Sequence, residues 1–301
     1  MAPAVAIGLV EGVADGASAA VRVWSGWFSD RVAWRKQLAT SGYAATVAGL
    51  ASLGLIFLWP LVVVARGFAW LGRGLRQPIR SSMLAGSVEP VDLGKAFGFH
   101  EGMDTLGALL GPAVAFAILA SGGGFRTVFS VAILPGLVAV ACFAVLTRDR
   151  RRVPALSGPR WVPLPASFWR LAIAVGLFGI GNFAPAFFTL RAAEMLQPEV
   201  ARPAAISAAV LFYLAAQGVG AAVSFPGGWL ADRAGKVPVL AAAYLLFAAA
   251  CLVGMFGHGP AGVALLALVA GAQAPLVTSV EGSLVGSLVE ESSRGARALH
   301  V

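Results

Sequence analysis

Charge is scarce in this chain. Of its 301 residues only 12% are Asp, Glu, Lys or Arg, against about 25% in a soluble domain. Hydrophobic residues make up 58% and the mean hydropathy is +0.83. Too little polar surface is available to solvate the outside of a water-soluble core, and two soluble domains are excluded although the length would allow them. Cysteine is nearly absent. Cys142 and Cys251 stand far apart, each inside an apolar run, so there is no disulfide framework and no CxxC metal spacing, and both read as packing residues. No H-E-x-x-H, G-x-S-x-G or phosphate-cradling glycine loop with Lys and Ser or Thr occurs, which removes the usual signals of an enzyme; no cofactor is implied. A basic leader is missing as well. The opening MAPAVAIGLV runs into Glu11 without a cleavage site, which argues against a removable signal peptide.

What is present is a succession of long apolar runs. A membrane-crossing helix needs about 20 mainly apolar residues, and breaks at charge, Gly or Pro cut the chain into roughly nine such runs. They are Pro3–Phe28, Leu38–Leu58, Pro60–Ser82, Lys95–Ala120, Arg126–Thr147, Phe168–Leu190, Ala204–Leu230, Val237–Phe256 and Ala261–Glu281. In lipid an open sheet edge would leave unpaired peptide groups, so the expected fold is an all-α polytopic bundle. The net charge of +8 could suggest nucleic acid, but the cations sit in short clusters between apolar runs, which is the pattern of positive-inside topology. Arg31, Arg35 and Lys36 share one loop; Arg73, Arg76, Arg80 and Lys95 flank the next on that side; Arg148 to Arg152 and Arg160 crowd a central stretch; Arg233 with Lys236, then Arg294 with Arg297, continue the alternation. These loops are expected in the cytoplasm, with the amino terminus outside. The Pro-rich segment at 148–165 divides the chain into an amino-terminal half at 1–147 and a carboxyl-terminal half at 166–301. Its basic residues also suit anionic head groups.

The halves echo each other. GWFSDR, Gly26–Arg31, matches GWLADR, Gly228–Arg233, and LAGSVEP from Leu84 recurs as LVGSLVEE from Leu284. Both offsets are about 200 residues, which implies a duplicated architecture.

These residues resemble the major facilitator superfamily, whose loop after the second helix of each half reads roughly G-x-L-A-D-R-x-G-R-K-x-x-L. GWLADRAGKVPVL, Gly228–Leu240, is close to that pattern; GWFSDRVAWRKQL, Gly26–Leu38, is degenerate, with Ala33 and Trp34 where Gly and a basic residue are usual. ARGFAWLGRGLRQPIRSSMLA, GKAFGFHEGMDTLGALLGPAVAF and GNFAPAFFTLRA look like a bacterial permease subgroup, so the resemblance covers nearly the whole chain. It implies a cytoplasmic latch made by Gly26, Asp30 and Arg31 and again by Gly228, Asp232 and Arg233. In such a latch glycine admits a neighbouring helix and the acid accepts from Arg or from a helix N-terminus. Simple topology signalling is the alternative. Gly107 and the Gly111–Pro112 step partly match an antiporter signature, but Ala115 and Phe116 replace its closing glycine pair, and ordinary close packing uses the same spacing. Aligned this way, the first run behaves as the family's second helix and the last as its tenth. The family's first helix and last two are then expected to be missing.

Ionisable groups inside apolar runs are the candidates for transport chemistry, because a charge near the bilayer centre costs about 2.5–3.5 kcal/mol on insertion scales. Glu11 and Asp15 share a face of the first run, with Arg22 two turns further on. Arg66 lies where the superfamily often places an arginine linked to proton coupling; an Asp15–Arg66 pair is expected, with Asp104 as the other available partner. Asp104 follows His100 and Glu101 at the start of its run. The second half offers Asn182, Arg191, Gln217 and Gln273. Gln217 is the repeat-related counterpart of Asp15, and Arg191 either meets an anionic group of a substrate or snorkels to the outer surface. For each acid and cation a structural ion pair or an interfacial position is the competing reading. Trp24, Trp27, Trp59 and Trp229 fall near run ends, as interfacial belt residues do.

The resemblance thus implies a secondary transporter of a small organic solute or drug, coupled to protons and working by alternating access in a bacterial inner membrane. Its partners are the solute, protons and the lipid bilayer; nucleic acid and metal are not expected, and nothing in the sequence sets an oligomeric state. A non-transporting membrane protein or docking partner derived from such a carrier is the alternative.

Overall fold

A computed structural model describes the backbone of residues 4–29, 31–32, 34–55, 59–147, 166–183, 185–196 and 202–298; some side chains near the edges of these stretches, including that of Glu11, lie outside the description, as do Asp30 and the whole 148–165 segment. Every described regular element is a helix. They run α1 (Ala4–Ser29), α2 (Arg35–Ser52), α3 (Trp59–Ala85), α4 (Leu93–Ala120), α5 (Phe125–Leu146), α6 (Ala166–Gly181), α7 (Ala186–Leu196), α8 (Arg202–Ala234), α9 (Lys236–Phe256) and α10 (Gly259–Ala298). The nine expected runs are all present. Two details differ. The sixth run is broken into α6 and α7 around Asn182 and Pro185, where Pro185 removes a backbone donor and disfavours helix in the residue before it. The ninth run does not stop at Glu281: α10 reaches Ala298, since the polar tail VEESSRGARA is rich in helix formers. Seven spans are long and apolar enough to cross a membrane among the described residues. The runs outside that set are α1 and α3, which carry Glu11, Asp15 and Arg22, and Arg66, Arg73, Arg76 and Arg80.

By contacts the chain forms two compact units. One comprises residues 1–83 and 113–160, the other 84–112 and 161–301, so the first part of α4 groups with the later helices. In the first unit α2 packs along α5, and Leu38, Ala39 and Ile79 make a small core with Phe28, Leu75 and Phe143 against it. In the second unit α10 is the central post, packed along both α8 and α9. One end of this unit holds Phe188, Ala192, Met195, Phe212, Ala250 and Leu266; the other holds Ala231, Leu240, Ala243, Val277, Val280 and Leu284. Gly235 alone separates α8 from α9, at φ +99°, a backbone conformation that costs a residue with a Cβ but not glycine.

Candidate functional site

The second copy of the repeated motif closes α8. Its glycine has no room for a side chain: a Cβ on Gly228 would stand 2.1 Å from the carbonyl oxygen of Gly94, and one on Gly94 would stand 2.3 Å from that of Gly228. Two glycines therefore let α8 and the start of α4 touch backbone to backbone. One turn on from Gly228, Asp232 uses that closeness. Its Oδ1 accepts from the amide of Gly94 and its Oδ2 from the amide of Lys95, both at 2.8 Å. These are first-turn N–H groups with no partner inside their own helix, and the helix dipole favours an anion there. The carboxylate thus caps α4 from another helix. Lys95 meanwhile holds Asp92 through its ammonium, and the Arg233 guanidinium lies 4.2 Å from the centre of the Trp229 ring.

The first copy closes α1. Arg31 lies 3.7 Å over the ring of Trp27 and donates to the Trp27 carbonyl. Gly26 is looser than its counterpart: a Cβ there would meet the nearest atom, Pro78 Cβ, at 3.8 Å. Asp30 falls outside the described residues.

Within the first unit α1 meets α3 along a seam of small and polar groups. Ser18, Ser25 and Ser29 are buried on one stripe of α1; Ser25 Oγ donates to the carbonyl of Gly74, and a Cβ on Gly74 would press on Ser18. Further along, Trp70 Nε1 donates to Asp15 Oδ1 at 3.2 Å. The face of the same indole takes Arg66 at 4.6 Å and Arg73 at 5.9 Å. Among the described residues Asp15 and Arg66 meet through Trp70, Asp15 at the ring edge and Arg66 on the ring face. An indole suits both tasks because its N–H is a donor and its π face attracts cations. Trp70 was legible in principle, since Arg66, Trp70 and Arg73 follow helical spacing on one face.

The remaining candidates are distributed. Asp104 is half exposed and faces His100 one turn earlier, at 3.8 Å. Arg191 ties α7 to the end of α9, donating from Nε to the Gly254 carbonyl at 2.7 Å, and lies 3.4 Å from Glu194. Asn182 is exposed at the α6–α7 break and uses its backbone amide on Phe178. Gln217 lies one turn from Tyr213, 3.4 Å from its hydroxyl. Gln273 is 4% exposed, and its Nε2 has no hydrogen-bond partner among the described residues; a buried amide donor in that condition can serve an incoming acceptor. Glu11 lies on α1, its side chain outside the description.

One pair went unread in the sequence. Tyr244 on α9 donates its hydroxyl to Glu281 Oε1 on α10 at 2.7 Å, and Phe178 stacks on the tyrosine at 3.9 Å between ring centres. Treating Glu281 as the end of its run disguised it, whereas α10 continues well past it.

Known proteins place this arrangement. An uncharacterised protein of Mycobacterium tuberculosis is 28% identical over 267 residues, a match covering 80% of this chain and 62% of that protein. An uncharacterised MFS-type transporter of Methanocaldococcus jannaschii is 29% identical over 246 residues, covering 80% and 61%. The chain thus spans about three fifths of the length of these curated relatives. Among solved structures the human organic anion transporter MFSD10 (TETRAN) superposes with a TM-score of 0.66 at 15% identity, covering 93% of this chain and 73% of that one, a likeness of fold. The family profile described as Major Facilitator Superfamily matches residues 3–296, so with both motif copies inside that match and an all-helical membrane fold around them, the chain belongs to the Major Facilitator Superfamily.

Proposed function

We propose that the chain serves secondary active transport of a small organic solute or drug across a bacterial inner membrane, coupled to protons, by alternating access of two helical halves. The observation that carries the reading is the family match across residues 3–296, with the Gly-Trp-x-x-Asp-Arg motif closing α1 and α8 inside it. In such carriers the helices rearrange and no bond of the substrate is broken, so polar groups inside apolar spans are the parts to assign. Glu11, Asp15, Arg66 and Asp104 are the groups for proton movement; Asn182, Arg191, Gln217 and Gln273 are the groups for a polar solute. Gly26, Asp30, Arg31, Gly228, Asp232 and Arg233 serve as the cytoplasmic latch. Support for the latch role comes from the Asp232 clasp on α4, which ties a helix end by a contact that movement can break and remake. The human neighbour is named for organic anions, one class among the small organic solutes to try first.

Reconstitution into vesicles with an entrapped pH dye tests the reading. Addition of a transported solute should move protons with it, and an imposed proton gradient should drive solute accumulation. Correctly folded protein that moves neither, across a panel of organic anions, cations and neutral drugs, overturns it.

A further inference from the structure

We infer that Glu281 and the hydroxyl of Tyr244 form a proton-binding site between α9 and α10. Nothing in the family match singles out this pair; the geometry does. Tyr244 lies about 12 Å along the helix axis from the start of α9, at about 1.5 Å per residue. Glu281 falls inside the apolar span Gly259–Leu288, about 10 Å before its end by the same rise. Both therefore sit inside apolar spans by their place in the sequence.

The surroundings are apolar on most sides. From α6 come the stacked ring of Phe178 and the side chain of Leu171; α9 adds Leu240 and Ala243; α10 itself adds Val277, Val280 and Leu284; and from α4 the ring of Phe97 presses on Gly282. Charged groups that approach are already engaged. Lys236 of α9 donates from Nζ to the Ser283 carbonyl at 3.1 Å, Asp232 of α8 holds the amides of Gly94 and Lys95, and Lys95 of α4 holds Asp92. Among the described residues the hydrogen-bond partner of Glu281 is the tyrosine hydroxyl, a neutral group.

A half-buried acid whose partner carries no charge has two accessible states. As a carboxylate it accepts the phenol proton in a hydrogen bond; as a carboxylic acid it can donate back to the phenol oxygen, because a hydroxyl both donates and accepts. The step is balanced: one proton from hydronium adds to a carboxylate oxygen and leaves water, the two opposite charges cancel, and Tyr244 keeps its own proton. A cationic partner would oppose this by holding the carboxylate ionised, which sets the pair apart from an ion pair built only to join helices. In a carrier with two conformations, different water access to Glu281 would give the proton a different affinity in each, the condition for coupling. That coupling rests on the transport reading above; proton binding itself does not.

Infrared difference spectroscopy of the purified chain in lipid vesicles, stepped in pH, tests the binding. The expected result is a carboxyl stretching band that grows on acidification, disappears in Glu281→Gln and changes frequency in Tyr244→Phe. Glu281→Asp, which keeps the carboxyl group, should retain a band and controls for misfolding. An unchanged set of bands in folded Glu281→Gln overturns the site. In the transport assay Glu281→Gln should keep solute exchange down its own gradient and lose proton-driven accumulation. If the wild type moves no solute yet shows the band, the transport reading fails and the proton site stands.

Discussion

The ends of α1 and α8 carry the same six-residue pattern and use it differently. Each stacks its arginine on the tryptophan one turn earlier, at 3.7 Å in the first copy and 4.2 Å in the second. That contact joins residues four apart in the chain at a helix end, so it needs no neighbouring helix and both copies keep it. The glycine depends on what lies opposite. Gly228 touches the backbone of Gly94, while Gly26 has ordinary van der Waals space in front of Pro78. Residues that interact within one helix turn can be carried over from a motif; those that serve another helix must be read from the partner.

The largest expected effect is at Asp232. Asp232→Ala removes the acceptor of two first-turn amides, and at about 1–2 kcal/mol for each donor left without a partner the loss should be about 2–4 kcal/mol. Asp232→Asn keeps one acceptor oxygen and should lose about half as much. Unfolding in detergent micelles followed by circular dichroism measures both, and a wild-type midpoint for Asp232→Ala would show that the clasp holds nothing.

Next comes the glycine comparison itself. Gly228→Ala should cost about 1–3 kcal/mol, because the two backbones must part to admit the methyl group. Gly26→Ala should stay within about 0.5 kcal/mol, with an alanine gaining helix propensity to offset small adjustments. Equal costs would erase the distinction between the copies.

Smaller again is Trp70→Phe, which leaves a ring under Arg66 but removes the N–H that serves Asp15. A loss of about 0.5–1.5 kcal/mol is expected, and Asp15→Asn in the same background should then add less than it does alone. The smallest effect belongs to the shared contact. Arg31→Gln and Arg233→Gln should each cost about 0.5–1 kcal/mol, similar in the two copies; a marked inequality would mean that one stack leans on a neighbouring helix.

The helices were legible because charge, Gly and Pro interrupt the apolar runs, and each interruption has a physical effect on the backbone or on insertion. Val237–Phe256 falls within one residue of α9, while Leu38–Leu58 starts three residues inside α2 and runs past its end at Ser52. The break inside Phe168–Leu190 was written in GNFAP, where Asn182 and Pro185 stand together, yet hydropathy alone ran over it. Sites were less legible than spans. Asp15 and Arg66 were singled out as charges that lipid would not accept, but Trp70, which touches both, is an aromatic among many and reveals itself only through its neighbours. Glu281 was hidden by a boundary rule that took the first acid as the end of a run. Arg191 carried two readings; its bond to the Gly254 carbonyl is a helix-to-helix tie.

Gly235 sets a mechanical condition on the second unit. A single residue offers two soft torsions, and here one of them is held at +99°, so the corner between α8 and α9 has no slack. Adding a residue inside the first turn of α9 would put everything after it out of phase with Gly235 by about 100° around the helix axis, and Leu240, Ala243 and Tyr244 could then keep their places only if the corner itself turned. At this corner both letter and count are bound: a side chain at position 235 meets the positive φ, and an added residue breaks the phase of α9. Insertion scanning should find it closed to even the shortest tag.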